Sequence, residues 1–376
     1  MSFYVSNQAK LPALPWFALL YELSCFRLHC LVRKLSASYL LILLTALGVQ
    51  GFAIAESSVA SEKQSDDLAA ASEPDPRWAQ GWLDSGYFPR HQALTRAADQ
   101  LAASSAALCA QPDAAALASA RQAWLATSTA WRALDGAPAG PMVLARLGRK
   151  IDFRPLRLPE LNSAIAGGEG NVAAQGLAAV EYLLWGDERA APKVVLAALK
   201  AAPACNYLQR ISADIARETH ALDEGWQLYR SQLAADNPFF RQNMFSEHVN
   251  LMLASLTSLG KRVPTGSSIE ASQLPEWRSG SAKVQMLAQL QGVATASAGI
   301  ADDLQRHGEG RLATALQSDL QQARQLCSQL AEPLEKASAS SRLACNKSIG
   351  QIKKRLQDEV AEKLDLTLGF TEGDGD

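Results

Sequence analysis

Leu117, Trp124 and Trp131 recur every seven residues, shadowed by Ala120, Thr127 and Leu134. Bulky apolar side chains repeated every two helical turns can be buried together only along one face of an α-helix. The pattern returns three more times. Leu208, Ile211, Ile215, Leu222, Trp226 and Tyr229 form a second stripe. Phe245, Val249, Met252, Leu256 and Leu259 form a third, and Ile349, Ile352, Leu356, Val360 and Leu364 a fourth. No stretch alternates apolar and polar residues as a strand does. Apolar types reach 48% while aromatics stay at 7%, so alanine and leucine supply much of the core. That balance favours helices packed through small residues over sheets.

Breakers separate the stripes. Gly136, Pro138, Gly140 and Pro141 end the tryptophan helix. Pro155 and Pro159 fall in an irregular connection, and Gly167, Gly168 and Gly170 make a loop before Asn171. Asn237 and Pro238 interrupt the chain near its middle, and residues 263–273 read as a polar loop. The expectation is an all-α protein of two antiparallel helical bundles, residues 77–235 and 236–376.

The longest apolar run, Tyr39 to Val49, is too short for a bilayer span of about 20 residues. Arg33 and Lys34 precede it, and Ala53, Ile54 and Ala55 follow. Basic region, apolar core and small-residue site read as a secretory signal cut after Ala55, with an uncleaved anchor as the alternative. Residues 1–30 are unusual for such a signal, which suggests that translation starts near Leu31 or Val32. Residues 56–76, rich in Ser, Ala and acids, read as a flexible lead-in to the first bundle. The protein is thus expected in the periplasm or cell envelope.

The whole chain carries a net charge of −2. No basic stretch is interleaved with aromatics, so nucleic acid is not an expected partner. Cys25 and Cys30 lie in the leader. Cys109, Cys205, Cys327 and Cys345 remain, an even number in an oxidising compartment. Four cysteines allow three connectivities. One bridge in each half, Cys109–Cys205 and Cys327–Cys345, is the preferred pairing, and buried free thiols are the alternative. No Cys pair has zinc-ribbon or thioredoxin spacing.

Glu181 is the residue most in need of explanation. It stands alone in the apolar stretch Gly176 to Gly186. An unpaired buried charge costs several kcal/mol, on the order of its desolvation, so this carboxyl must be protonated, paired or set on a cleft wall. Arg132, Arg146, Arg149 and Arg154 lie upstream as candidate partners, and a Glu–Arg clasp is the structural reading.

Gly176, Glu181 and the following Tyr182, Leu183 and Leu184 resemble the Gly-x-His-x-x-Glu segment of the imelysin, or M75 peptidase-like, family. Further stretches agree in order. Trp124, Trp131 and Arg132 lead to Gly140 and Pro141, like the family's tryptophan helix before its Gly-Pro turn. Ile151 to Pro155 resembles its Trp-Pro segment, with Arg154 where Trp is usual. Glu276, Trp277, Arg278 and Ser279 resemble a Trp-Arg-Ser helix start. Leu368, Gly369 and Phe370 with Asp374, Gly375 and Asp376 resemble its ending. The resemblance spans residues 77–376.

That resemblance implies a two-domain helical fold with a site between the domains. It also implies an exported or surface location, a frequent link to iron uptake, and peptidase activity in some members. The family's histidine, however, is Ala178 here. His and Glu three apart on a helix face one way and can share a metal. Ala178 has no lone pair, so the signature for metal-assisted hydrolysis is incomplete. The expected role is a non-catalytic binding protein for a metal-containing or peptidic ligand, using Glu181, Arg132, Asp152 and Arg278. A divalent metal or iron at Glu181 is the cofactor to test. A metallopeptidase with substituted ligands and a helical module docking an outer-membrane partner are the alternatives.

Other chemistry finds little support. His220 with Asp223 and Glu224 has ligand spacing but falls off the buried face. His248 borders the third stripe beside Glu247, and His91 and His307 lack evident partners. Asp374 and Asp376 could meet a hard cation, although a solvated terminus is the ordinary reading. No Gly-x-Ser-x-Gly, Cys–His nucleophile or P-loop is present.

Overall fold

Asp113 opens the helix that carries the tryptophan stripe. Its side chain accepts a hydrogen bond from the Ala116 N–H at 2.8 Å and so caps the first turn. The computed structural model describes residues 76–234 and 238–369. Among them, nine helices have ten residues or more. They are α1 (Phe88–Ala110), α2 (Ala114–Asp135), α3 (Gly176–Trp185), α4 (Ala202–His220), α5 (Leu222–Ala234), α6 (Pro238–Lys261), α7 (Ala282–Arg306), α8 (Gly310–Ser328) and α9 (Ala339–Lys354). Shorter helical turns fill the connections, and no strand occurs among the described residues. The fold is all-α, as the stripes require.

The stripes are the buried faces. Leu117, Trp124, Trp131 and Leu134 are buried on α2, and Phe245, Val249, Met252, Leu256 and Leu259 on α6. Each fully buried apolar side chain of this size contributes about 1.5–3 kcal/mol. The fourth stripe continues past α9 through a π-helical segment, Arg355–Val360, which keeps Leu356, Val360 and Leu364 on the buried side. The second stripe differs from expectation in one respect. It is two helices, because the chain turns at Ala221 between α4 and α5.

Helix α1 packs on α2 and α4, and α3 lies against α2 and α4. On its other side α2 meets α7. From there α7 packs on α8, α8 on α9, and α9 on α6, which returns to α7. The α2–α7 crossing is built on two glycines. A Cβ on Gly136 would stand 2.9 Å from Gly292 Cα and 2.8 Å from the Val293 nitrogen. A Cβ on Gly292 would stand 3.1 Å from Gly136 Cα. Only glycine permits this backbone approach. Nearby, Ser255 Oγ of α6 donates to the Asp135 carbonyl at 2.8 Å and accepts from Gln289 Nε2 of α7 at 3.0 Å.

Both expected disulfides are present. Cys109 at the end of α1 is bridged to Cys205 at the start of α4, and Cys327 of α8 to Cys345 of α9. No helix among the described residues is long and apolar enough to cross a membrane. The leader with its cut after Ala55, the 56–75 part of the lead-in, and Asp374 to Asp376 lie outside the described residues. So do residues 235–237, where the two-bundle boundary was drawn.

Candidate functional site

Gly176 begins α3 with φ +72°, and a Cβ there would stand 2.8 Å from the Ile151 carbonyl carbon. The glycine thus lets α3 touch the 151–155 segment, and that contact brings Asp152 and Arg154 beside Glu181. Trp124 Nε1 of α2 donates to the Leu177 carbonyl at 2.9 Å and fixes α3 from the other side. The third contributor is the turn after residue 274. Glu276 there has φ +53°, a left-handed conformation that a non-glycine residue holds at a cost of about 1–3 kcal/mol unless its surroundings fix it.

What fixes Glu276 is a set of arginines. Its carboxylate is fully buried. Oε1 accepts from Arg132 Nη2 at 2.7 Å, and Oε2 accepts from Arg262 Nη1 at 2.9 Å. Arg154 Nη2 lies 3.6 Å from Oε1. Burial alone would push the Glu276 carboxyl up, toward its protonated form. The guanidinium charges of Arg262, Arg132 and Arg154 outweigh burial and hold the carboxyl well below the usual carboxylate range. Arg132 also pairs with Asp152 and, at 3.0 Å, with Asp135. Arg154 Nε donates to Asp152 Oδ1 at 3.1 Å.

Glu181 closes the cluster on the α3 side and is also buried. Its Oε1 accepts from the Ser279 backbone N–H and from Ser279 Oγ, each at 2.9 Å. Its Oε2 faces Arg154 Nη1 at 3.5 Å. Burial is the dominant influence here and pushes this carboxyl up, against the opposing pull of Arg154 and Ser279. Three guanidinium groups, Arg132, Arg154 and Arg262, therefore face four carboxyls, Asp135, Asp152, Glu181 and Glu276.

Beside the cluster is a cavity of about 580 Å³. Ala178 forms part of its wall, one turn before Glu181 on α3. Arg154, Arg262 and Arg278 line it as well. Arg278 lies over Trp277 at 4.5 Å and Tyr182 at 5.2 Å, and pairs with Asp187 at 3.3 Å.

The sequence matches the imelysin (peptidase M75) family profile over residues 87–366. The chain belongs to the imelysin family. Comparison with curated proteins finds no match. An imelysin-like protein from Psychrobacter arcticum shares the fold, with a TM-score of 0.67 at 16% identity over 80% of this chain and 98% of that one. A protein from Parabacteroides distasonis described as an iron-regulated protein A precursor has a TM-score of 0.67 at 14% identity, over 77% of this chain and 94% of that one.

Of the four residues expected to bind ligand, Arg132, Asp152 and Glu181 belong to the buried cluster. Arg278 stands apart on the cavity wall. Sequence reasoning passed over the centre of the cluster. Glu276 entered only as the start of a matched stretch, and Arg262, just before the polar loop, did not enter at all. The one available signal was an acid next to Pro275 inside a recognised motif.

The family's metal does not fit these residues. Ala178 supplies no donor, both Glu181 oxygens face protein donors, and three arginines crowd the place of a cation. Among the described residues no three His, Cys, Asp or Glu side chains group as ligands. Three histidines among the described residues lie elsewhere. His91 Nε2 meets Asp223 at 3.0 Å, and His220 Nε2 meets Asp99 at 3.0 Å. His248 is buried between Trp78 and Trp82, and burial pushes it down to about 4.

Proposed function

We propose that this chain is an exported, non-catalytic binding protein of the imelysin family, connected with metal or iron uptake. Its ligand enters the cavity beside Ala178. The observation that carries this reading is the fate of the motif. The imidazole position is a methyl group on a cavity wall, and the Glu181 carboxyl faces Ser279 and Arg154. The surroundings of a hydrolytic site remain as a pocket, while the donors of a metal centre are used in a clasp. Arg132, Asp152 and Glu181 then hold the wall, and Arg278 meets the ligand. The leader and the two disulfides support export. The name of the Parabacteroides neighbour supports the iron connection. The division into residues 77–235 and 236–376 belongs to the same proposal.

The test uses a strain lacking the gene, grown under metal limitation. The wild-type gene should restore growth. Ala178→Leu, which narrows the cavity beside Glu181, should not, although the variant protein keeps its helical signal. The purified mature protein should begin at Glu56 and show no chelator-sensitive cleavage of an unfolded protein substrate. Chelator-sensitive cleavage would instead make it a peptidase. Restoration of growth by Ala178→Leu would favour a docking module for an outer-membrane partner.

A further inference from the structure

The walls of the Ala178 cavity carry one sign of charge. Arg154, Lys261, Arg262 and Arg278 line it, and no lining residue is Asp or Glu. The buried carboxylates of the cluster, Asp152, Glu181 and Glu276, are absent from the lining. Lys261 ends α6 and is exposed, with no ion pair among the described residues. Arg262 Nε and Arg278 Nε are buried without a hydrogen-bond acceptor, and Arg154 Nη2 has only Glu276 Oε1 at 3.6 Å. Arg278 is stacked on Trp277 and Tyr182, so ordering it on binding costs little.

Planar guanidinium groups match carboxylate oxygens in pairs, and a flexible ammonium adds a mobile point charge. Arg154 and Arg262 are already paired with the buried carboxylates behind the wall. That leaves Lys261 and Arg278, whose partner Asp187 is exposed, as two separated cations on a cavity of about 580 Å³. The arrangement suits a ligand with separated negative groups better than one compact ion. We propose that the cavity binds a small polycarboxylate, free or as its ferric chelate, with Arg278 and Lys261 as the first contacts and Arg154 and Arg262 deeper on the wall. This deepens the binding-protein reading and rests on it. The disagreement with a metal site and the preference for an anion share one cause, since the space beside Ala178 is surrounded by arginine where the family motif would place a cation.

The experiment is titration calorimetry of the mature chain with citrate, ferric citrate, inorganic phosphate and zinc. One citrate or ferric citrate should bind per chain, more weakly at high salt. Lys261→Glu, at an exposed position that leaves the fold intact, should weaken binding on the order of tenfold or more, and Lys261→Arg should restore it. Tighter binding of ferric citrate identifies the chelate as the cargo, and equal binding identifies the free acid. Binding of phosphate alone overturns the proposal, as does citrate binding that Lys261→Glu and Arg278→Gln leave unchanged. No binding of any anion overturns the polycarboxylate but leaves the non-catalytic reading standing. Zinc binding that Glu181→Ala abolishes overturns both.

Discussion

Glu181 and Glu276 lie in one buried cluster, yet their environments push them in opposite directions. Glu276 is held by three arginines, and Glu181 is governed by burial with one arginine and Ser279 opposite it. Two substitutions of equal size should therefore differ sharply. Glu276→Gln strips the shared counter-charge from Arg132 and Arg262 and should cost about 3–5 kcal/mol. Glu181→Gln mimics a protonated acid and should cost much less. Urea denaturation of both variants measures the contrast. The signs with pH also differ. Glu276 is depressed, so its contribution is present above the ordinary carboxylate range and lost in acid. Glu181 is raised, so its native state gains protons and stability falls as pH rises above the ordinary value. His248 adds a separate slope. Its native value of about 4 lies below the ordinary 6.5, so stability should fall as pH drops through that window. His248→Phe should flatten that part of the curve. At this scale the sequence exposed the problem but not its solution. A lone acid in an apolar helix demanded a partner. The arginine that answered, Arg154, comes from the irregular 151–155 segment, and its other partner Glu276 sits on a left-handed turn. Neither has a periodic signature.

Helices show a different balance. The buried faces of α2 and α6 follow directly from the seven-residue spacing on α2 and the stripe on α6, because a helix repeats its geometry and writes it into the chain. The α4–α5 break was missed because Ile215, Leu222 and Trp226 keep helical spacing across the turn at Ala221. The glycine crossing of α2 and α7 was equally hidden. Gly136 read as a helix stop, and Gly292 lies in the middle of α7. Alanine in mid-helix is ordinarily worth about 1 kcal/mol over glycine. At Gly292 the added methyl meets the backbone of α2, so Gly292→Ala should lose about 1–3 kcal/mol instead. Gly350 of α9 has open space around its Cβ position and provides the control. Gly350→Ala should gain about 0.4–1 kcal/mol. Opposite signs in the two denaturation midpoints are the expected outcome, and equal signs would remove the crossing from the account.

Across the whole molecule, the two bridges close loops of very different length, 96 and 18 residues in separation. By loop entropy the first should stabilise by about 4–5 kcal/mol and the second by about 3. Paired serine variants at Cys109 and Cys205 should therefore unfold at lower denaturant than those at Cys327 and Cys345. The pairing was legible because each half of the chain held two cysteines. The family too was legible, from short motifs in a fixed order, although the Psychrobacter and Parabacteroides structures share only 16% and 14% identity with the chain. The cavity was not legible, since its wall draws on α3, the end of α6 and the turn after residue 274, which only the tertiary fold brings together. The central claim is that arginines have taken the place of a metal at the altered motif. Elemental analysis of the mature protein from its native compartment, alongside Glu181→Ala, tests it most directly. The account predicts no stoichiometric zinc or iron held by protein side chains in either sample after dialysis against citrate-free buffer. One metal ion per chain in the wild type, absent from Glu181→Ala, would contradict it.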